Sequence, residues 1–419
     1  MFIVFVRQKS LMERKKLNRN TLLFCLILIA ILLTPLFLIP FTIEPISEPE
    51  FLVGVEYALS ESSVEGCKAL VDRVKNFTNL FVIDSLGIAL DFNSLNEVAD
   101  YVYDAGLYFI VFFISCHEEE TVTMPDGEQK DVRILRYNYY PHIWISDAKK
   151  KYGDKFLGAY TMDEPGGNQL DSGPFQLIED AKDETEAANL FVDLLYLNIE
   201  YFLHARECDD IKVLTSEYGL YWYDYKVGYD TVLVEFAWNH SRPLNVALCR
   251  GAATAHNKDW GIMLTWTYNT PPYLVSGDEM FDDLITGYHN GAKYAVIFDH
   301  PATSYSDYGI LTDEHFVALE NFWNYVRNNP EKHAAKQATA VYVLPEDFGF
   351  GLRRADDKIW GLWEADTDIR VNRIWNDVNQ LVDKYGFGLD IIYDEPEIVK
   401  DNLKRYDEIF LWNEPIITQ

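Results

Sequence analysis

Acidic residues stand at the ends of several short apolar segments of this sequence. Asp163 and Glu164 follow one such segment, Glu217 ends another, and Glu235 lies inside a third. Two carboxyl groups that flank a glycosidic bond can hydrolyse it, one as proton donor and the other as nucleophile or activator of water. A carboxylate inside an apolar strand is costly unless it is paired or functional. We therefore predict Glu164 as the catalytic general acid/base, with Glu235 or Glu217 as its partner.

The same residues have structural alternatives. Asp163 and Glu164 precede Pro165 and two glycines, a sequence that also suits a solvated turn. Glu235 could instead form a buried ion pair with Arg250. We expect Asp163 to be a neighbour of the catalytic group or a ligand for substrate.

Aromatic side chains crowd the same segment ends, and this pattern favours sugar binding, because sugar rings stack their C–H faces on aromatic planes. Further contacts are expected from a long Gly- and Trp-rich loop over 345–366, which could equally be a plug between domains. The predicted substrate-binding residues are Asp163, Tyr57, Trp238, Trp266, Tyr268, Asp299, Arg353 and Trp360.

Neither a metal nor a cofactor is predicted. The run His117–Glu120 resembles a ligand set, but no second His stands at metal spacing, so a solvated loop is favoured. The sequence contains no P-loop and no G-x-S-x-G elbow, and no G-x-G-x-x-G opens a helix.

Short apolar runs alternate with helical patterns through the first three quarters of the chain. Runs that are rich in β-branched and aromatic residues suit strands buried on both faces of a parallel sheet. The predicted strands are 51–57, 80–86, 108–115, 156–162, 211–216, 231–236, 261–267 and 294–298. Eight strands with interleaved helices predict a (β/α)8 TIM barrel over 51–330, with its function at the carboxyl ends of the strands.

A second pattern begins after the break at 328–330. Strands over 339–344, 389–393 and 408–411, separated by helices, predict a small Rossmann- or flavodoxin-like α/β domain over 338–419.

The first 43 residues have the composition of a membrane anchor. Residues 21–43 carry no charge, and this run is long enough to cross a bilayer core. Residues 1–20 are basic. We expect a basic cytoplasmic tail over 1–20, a transmembrane signal anchor over 21–43, and a linker over 44–50. The bulk of the chain is then extracytoplasmic, at the cell membrane.

The charge balance limits the partners. The chain has 36 Lys and Arg against 66 Asp and Glu, a formal net charge of −30. A field of this sign repels nucleic acid, so nucleic-acid binding is excluded. The oligomeric state is left open, and a homo-oligomer is possible.

The predicted order of a barrel followed by a small α/β domain resembles the TIM-barrel glycoside hydrolases, specifically the family 42 β-galactosidases. In that clan an Asn-Glu pair ends the fourth strand and supplies the acid/base, and here Asp163-Glu164 stands there. The clan's nucleophile is a Glu at the end of the seventh strand, where this sequence reads Thr265-Trp266-Thr267-Tyr268-Asn269 without an acid. The family 27-like α-galactosidases pair carboxyls from the fourth and sixth strands, a pattern similar to Glu164 with Glu235.

These observations lead to two functional hypotheses. The first is a membrane-anchored glycoside hydrolase that cleaves extracytoplasmic glycans with paired carboxylates. The alternative is a glycan-binding or cell-surface assembly protein with a degenerate barrel and no turnover, which the missing seventh-strand acid favours.

Overall fold

Eight parallel strands close into a barrel in the computed structural model of this chain, which describes residues 49–58, 63–113, 116–123, 127, 129–136 and 140–416. The barrel strands are β1 Leu52–Ala58, β2 Leu80–Asp84, β3 Tyr108–Phe112, β6 Phe156–Tyr160, β7 Lys212–Glu217, β8 Thr231–Phe236, β9 Asp259–Leu264 and β10 Tyr294–Asp299; β4 Cys116–Thr123 and β5 Gln129–Arg136 form a separate hairpin. Neighbouring barrel strands follow chain order, and β10 pairs with β1. The predicted barrel is confirmed, and each barrel strand overlaps the segment predicted for it.

Helices connect the strands and cover the outside of the barrel. They are α1 Val64–Val74, α2 Leu86–Ala89, α3 Phe92–Asp104, α4 Pro141–Tyr152, α5 Pro165–Leu170, α6 Glu184–Asp209, α7 Tyr221–Val227, α8 Arg242–His256, α9 Gly277–His289 and α10 Asp313–Asn328. Ser276 starts α9 in a capping box with Glu279, a start signal that is readable in the sequence. The helix α7 lies where the sequence shows little helical pattern.

The two-residue period of the strands divides their side chains between two apolar layers. One layer fills the barrel and the other lies between the strands and the helices. Polar side chains share the inner face with apolar residues earlier in their strands. These pairs are Leu52 with Glu56, Leu80 with Asp84, Leu214 with Ser216, and Leu233 with Glu235. The apolar residues fill the barrel below, and the polar ones collect at its carboxyl end, where TIM barrels place their chemistry.

The β4–β5 hairpin corrects one sequence interpretation. Residues 116–123 pair antiparallel with residues 129–136, so His117–Glu120 belongs to a strand and not to a solvated loop. The hairpin is inserted between β3 and β6 and takes no part in the barrel sheet.

A three-stranded parallel sheet follows the barrel, and its strands lie where the sequence predicts them. The elements are β11 Ala340–Leu344, α11 Ile369–Tyr385, β12 Leu389–Tyr393, α12 Pro396–Asn402 and β13 Glu408–Leu411, with the strand order β12-β11-β13. Residues 49–419 form one compact unit by their contacts. The division at 330–338 into two domains stays a prediction.

The membrane part of the predicted fold class requires a correction. Among the residues that the structure describes, no helix is both long and apolar enough to cross a bilayer. The segment predicted as a transmembrane anchor, 21–43, lies outside those residues, as do the tail 1–20 and most of the linker 44–50. Over the described residues, the fold class is a barrel with a small α/β sheet.

Arg250 on α8 joins the barrel to the second sheet. Its guanidinium donates to the Asp390 carboxylate at 2.8 Å, to the carbonyls of Phe387 and Leu389, and to Asn290 Oδ1. Both partners of the ion pair are buried, at 6% and 3% exposure. The ion pair of Arg250 is therefore with Asp390, and the alternative of an ion pair with Glu235 is wrong.

Replacing Arg250 by Met should destabilise the protein by about 3–5 kcal/mol, because Asp390 then becomes a buried charge without its partner. The measurement is the free energy of unfolding in urea, with Lys404→Met, in an exposed ion pair with Asp401, as the control. A loss below about 1 kcal/mol would show that the junction does not depend on Arg250.

Candidate active site

Glu164 and Glu235 meet at the carboxyl end of the barrel. Glu164 follows β6 and Glu235 is the fifth residue of β8, so the fourth and sixth barrel strands supply the pair. Their carboxyl groups are close enough to share a hydrogen bond. Both line a cavity of about 560 Å³. Two of the three predicted catalytic residues are thus brought together in one pocket.

Ser216 and Tyr160 extend this pair into a longer hydrogen-bonded chain. The Ser216 hydroxyl lies 2.8 Å from Glu235 Oε1 and 2.8 Å from Asp163 Oδ1. The Tyr160 hydroxyl lies 2.5 Å from the same Asp163 oxygen and 2.9 Å from Ser216 Oγ. Asp163 is exposed as a whole residue, but its Oδ1 atom is held by both hydroxyls. Four elements of the barrel thus position one continuous polar network.

Burial and mutual repulsion favour protonated carboxyl groups in this network. Desolvation raises the pKa of Glu164 to about 7, and the charge of Asp163 adds to the shift. Desolvation raises the pKa of Glu235 well above its ordinary value, and Glu164 and Asp163 raise it further. Glu235 is the more deeply buried of the two, at 5% exposure. When the pair holds one proton, that proton therefore belongs on Glu235, and Glu164 is the carboxylate.

A second carboxyl pair lies beside Asp163. Glu56 on β1 and Asp84 on β2 are buried and close enough to share a hydrogen bond. Burial raises the pKa of Glu56 to about 8 and that of Asp84 well above its usual range, and the nearby Asp163 adds to both shifts. Among the described residues, no group of three or more His, Cys, Asp or Glu side chains is arranged to hold a metal ion. The contact between Glu56 and Asp84 and their raised pKa values fit a proton shared by the two acids.

Glu217 performs a different task from the one the sequence suggests. It is fully buried, and its carboxylate accepts from the backbone N–H groups of Gly166, Gly167, Tyr218 and Gly219 at 2.5–3.0 Å. A Cβ on Gly166 would stand 2.8 Å from Glu217 Oε2, and one on Gly167 would stand 2.2 Å from the Tyr218 ring. The two glycines thus let α5 approach the carboxylate closely. The geometry makes Glu217 a support for the loop that carries Glu164.

Backbone strain occurs in the loops that form the site. Met162, Glu164, Leu220 and Trp238 all have left-handed backbone angles, with φ between 43° and 53°. Side chains other than glycine rarely adopt this conformation, and each such residue costs on the order of 1 kcal/mol or more. Such strain is typical of functional sites, where the surrounding structure holds side chains in required positions.

The rim of the cavity combines aromatic rings with an arginine from the second sheet's long loop. Trp238 and Trp266 line the cavity, and Trp238 is 40% exposed. Arg353 lines it as well and donates to both oxygens of Asp171 at 2.9 and 3.0 Å. The predicted substrate residues Trp238, Trp266 and Arg353 therefore lie at the site.

Five other predicted substrate residues do not line this cavity, and of these Asp163 contacts Ser216 beside it. Trp360 is fully buried and packs on Phe191 and Tyr223, and Tyr57 is 4% exposed on the outer side of β1. Asp299 accepts from the backbone N–H groups of Ile310 and Leu311. Tyr268 is 45% exposed. Trp360, Tyr57 and Asp299 thus support the structure around the site.

Other residues of the site were not singled out from the sequence. Asp84 is the last residue of an apolar strand, and Glu235 is the last but one residue of another. The sequence therefore contains the same signal for both acids. Ser216, Tyr160 and Asp171 carry no comparable signal, since hydroxyls and acids at strand and helix ends are common.

The fold has counterparts among solved structures. The α-L-fucosidase isoenzyme 2 from Paenibacillus thiaminolyticus is 11% identical with a TM-score of 0.50, and the match covers 89% of this chain and 61% of that one. A GH30 endoxylanase from Clostridium papyrosolvens is 12% identical (TM-score 0.39, 67% and 74% covered), and an endo-β-1,4-mannanase from Thermotoga petrophila is 10% identical (TM-score 0.40, 71% and 82% covered). No protein-family model and no curated protein matches the chain.

At this level of identity the comparisons show the fold alone. The chain has a TIM barrel, and it spans 61% of the length of the fucosidase that it resembles. The specific likeness to family 42 β-galactosidases and the flavodoxin-like assignment of the second sheet are not shown by these structures.

The raised pKa of Glu164 predicts a pH-dependent stability. Between its ordinary pKa of 4.5 and its folded value of about 7, the folded protein retains a proton that the unfolded chain releases. This contribution is present below pH 4.5 and is lost as the pH rises toward 7. Glu164→Gln cannot lose the proton, so its stability relative to wild type should rise over this range by on the order of 2 kcal/mol.

The measurement is urea unfolding of both proteins at intervals from pH 5 to pH 8. Glu320→Gln, at an exposed position of α10, serves as the matched control and should show no such trend. A constant difference between Glu164→Gln and wild type across this range would contradict the raised pKa.

Burial raises the pKa of Glu217 to about 8, yet Glu217 should tolerate an amide less well than Glu164 does, because its oxygens accept from four backbone N–H groups. Glu217→Gln places an amide among four backbone donors and should destabilise the protein by about 1–3 kcal/mol, since donors are left unsatisfied. The melting temperature at pH 8 tests this contrast. An unchanged or raised melting temperature for Glu217→Gln would contradict its supporting role.

Proposed function

We propose that this protein is a glycoside hydrolase in which Glu164 and Glu235 are the paired catalytic carboxyl groups. The observation that carries the proposal is their direct contact in a cavity with tryptophan on its walls. Glycoside hydrolysis needs two carboxyl groups with pKa values pushed apart by their surroundings. Deeper burial gives Glu235 the proton and leaves Glu164 as the carboxylate.

The geometry divides the roles differently from the sequence prediction, which made Glu164 the acid/base. Glu235 donates its proton to the leaving oxygen, and Glu164 attacks the anomeric carbon. Retaining hydrolases have carboxyl groups about 5–5.5 Å apart, whereas inverting enzymes separate them by roughly 6.5–9.5 Å to admit a water. A pair in contact before substrate binds lies nearer the retaining separation, and this supports a retaining mechanism through a glycosyl-enzyme intermediate.

The missing acid at the end of β9 does not oppose this proposal. Thr265 and Trp266 line the cavity there, and the second carboxyl comes from β8 instead. The arrangement corresponds to a fourth-strand and sixth-strand pair. Trp238 and Trp266 offer rings on which sugar faces can stack, and Arg353 places a charged donor at the opening.

The substrate is proposed to be a carbohydrate, with the particular sugar left to experiment. We also propose a location outside the cytosol, and fractionation of the native protein, with a protease-accessibility assay on intact cells, would test it directly.

A glycan panel tests the proposed function. Wild type should hydrolyse at least one glycan or aryl glycoside, and Glu164→Gln and Glu235→Gln should each lose about 10²–10⁴-fold in kcat. Glu320→Gln should retain full activity. Nuclear magnetic resonance of the first product should show the anomeric configuration of the substrate.

Two results would contradict the proposal. Binding of a glycan without turnover by the wild type would identify a non-catalytic glycan-binding protein. Turnover that survives in both Glu164→Gln and Glu235→Gln would place the catalytic groups elsewhere.

A further inference from the structure

Ser216 contacts more carboxyl oxygens than its single proton can serve. Its Oγ lies 2.8 Å from Asp163 Oδ1 and 2.8 Å from Glu235 Oε1, and it is fully buried. A serine hydroxyl has one proton to donate, so it bonds one of these carboxyl groups at a time. Because the two distances are equal, neither orientation is favoured by geometry alone.

Tyr160 makes the two orientations compatible with the rest of the network. Its hydroxyl lies 2.5 Å from Asp163 Oδ1, so Asp163 keeps one donor whichever way Ser216 points. Glu235, by contrast, has Ser216 as its hydroxyl contact at this oxygen. When Glu235 is ionised, a hydrogen bond from Ser216 therefore stabilises Glu235 more than Asp163. When Glu235 is neutral, the same hydrogen bond stabilises Asp163 more.

We propose that Ser216 is a positioning residue whose hydroxyl turns from Asp163 to Glu235 when Glu235 gives up its proton, and turns back when Glu235 is reprotonated. This inference rests on the proposed function, because a retaining hydrolase uses one carboxyl first as acid and then as base. The proton leaves Glu235 for the leaving oxygen of the substrate, and it returns from the water that hydrolyses the intermediate. No proton of Ser216 is transferred; only its hydroxyl orientation changes.

Several ionisable groups face this hydroxyl or its two carboxyl partners. Asp163 and Glu164 follow β6, Glu235 belongs to β8, and Tyr221 on α7 lies near Glu235. The remaining groups interact with these carboxyls by charge repulsion. Glu56 and Asp84 repel Asp163, and Asp171 and Glu217 repel Glu164. Arg353, Arg354 and His240 also line the cavity with Glu235, but among the described contacts the Ser216 hydroxyl is the group that hydrogen-bonds Glu235 Oε1.

Removing the Ser216 hydroxyl should change the titration of Glu235 in a defined direction. The variants are Ser216→Ala and Ser216→Cys, the second of which keeps the volume but donates weakly. Without the donor, ionised Glu235 is destabilised, so its titration should move up by about one to two pH units. Tyr160→Phe should shift it in the same direction, since Ser216 must then remain on Asp163.

The first readout requires no enzymatic activity. Infrared difference spectra of the carboxylic acid C=O band, assigned to Glu235 by its loss in Glu235→Gln, give the titration midpoint in each folded variant. Circular dichroism confirms folding, and Ser216→Thr, which keeps a hydroxyl, is the matched control. The proposal expects upward shifts for Ala, Cys and Phe, and a midpoint near wild type for Thr.

The second readout is the basic limb of the kcat/KM profile against pH, which should move with the infrared midpoint. Infrared midpoints of Ser216→Ala and Ser216→Cys that equal that of wild type would overturn the proposal, whatever the activity. Shifted midpoints in a protein without glycosidase turnover would retain the hydroxyl switch and reject the hydrolase function. The two failures are therefore distinguishable.

Discussion

The burial of like-charged carboxyl groups at the carboxyl end of the barrel is the constraint on which the site depends. Glu164 and Glu235 are removed from water, lie against each other and have Asp163 beside them. Two ionised carboxylates in contact repel strongly at low dielectric, so the pair keeps a proton near neutral pH. A carboxylic acid and a carboxylate side by side are the two groups that glycosidic bond cleavage requires. Burial therefore gives the pair the protonation states that the proposed hydrolysis needs.

The rest of the structure holds this unfavourable arrangement in place. Glu217 collects four backbone donors and anchors the turn that carries Glu164, while Arg250 binds the second sheet to α8. The cost of the left-handed residues and of the buried acids is met by the two apolar layers of the barrel. Proteins commonly sacrifice stability at functional sites in this way.

Much of the fold was predictable because its signal is local. Short β-branched runs such as 231–236 have the length and composition of buried parallel strands, and β8 has the predicted limits. The hairpin with His117 was missed because its charged sequence suggested a loop. Helix α7 was missed because its aromatic residues, such as Tyr223, are buried by contacts with Trp360 from the distant second sheet.

The candidate site was predictable only in part. Glu217 and Glu235 are the same residue type near the ends of consecutive strands, yet only Glu235 shares the inner face, with Leu233. Glu217 follows Ser216, which is on the inner face, so it turns outward toward α5. Successive side chains of a strand face opposite sides of the sheet, so one of the two acids faces inward and the other outward. This assignment is possible only when the residues that face into the barrel are known. The contact between Glu164 and Glu235 joins two strands that are not neighbours, so it depends on barrel closure.

Neutron diffraction of the wild-type crystal above the pKa of about 7 of Glu164, near pH 8.5, is the most direct test of the shared proton. We expect one deuteron between the two carboxyl groups, bonded to Glu235 and directed at Glu164, with the Ser216 deuteron directed at Asp163. Two ionised carboxylates separated by water, or a pair of fully protonated acids, would contradict the proposed pairing and with it the assignment of catalytic roles.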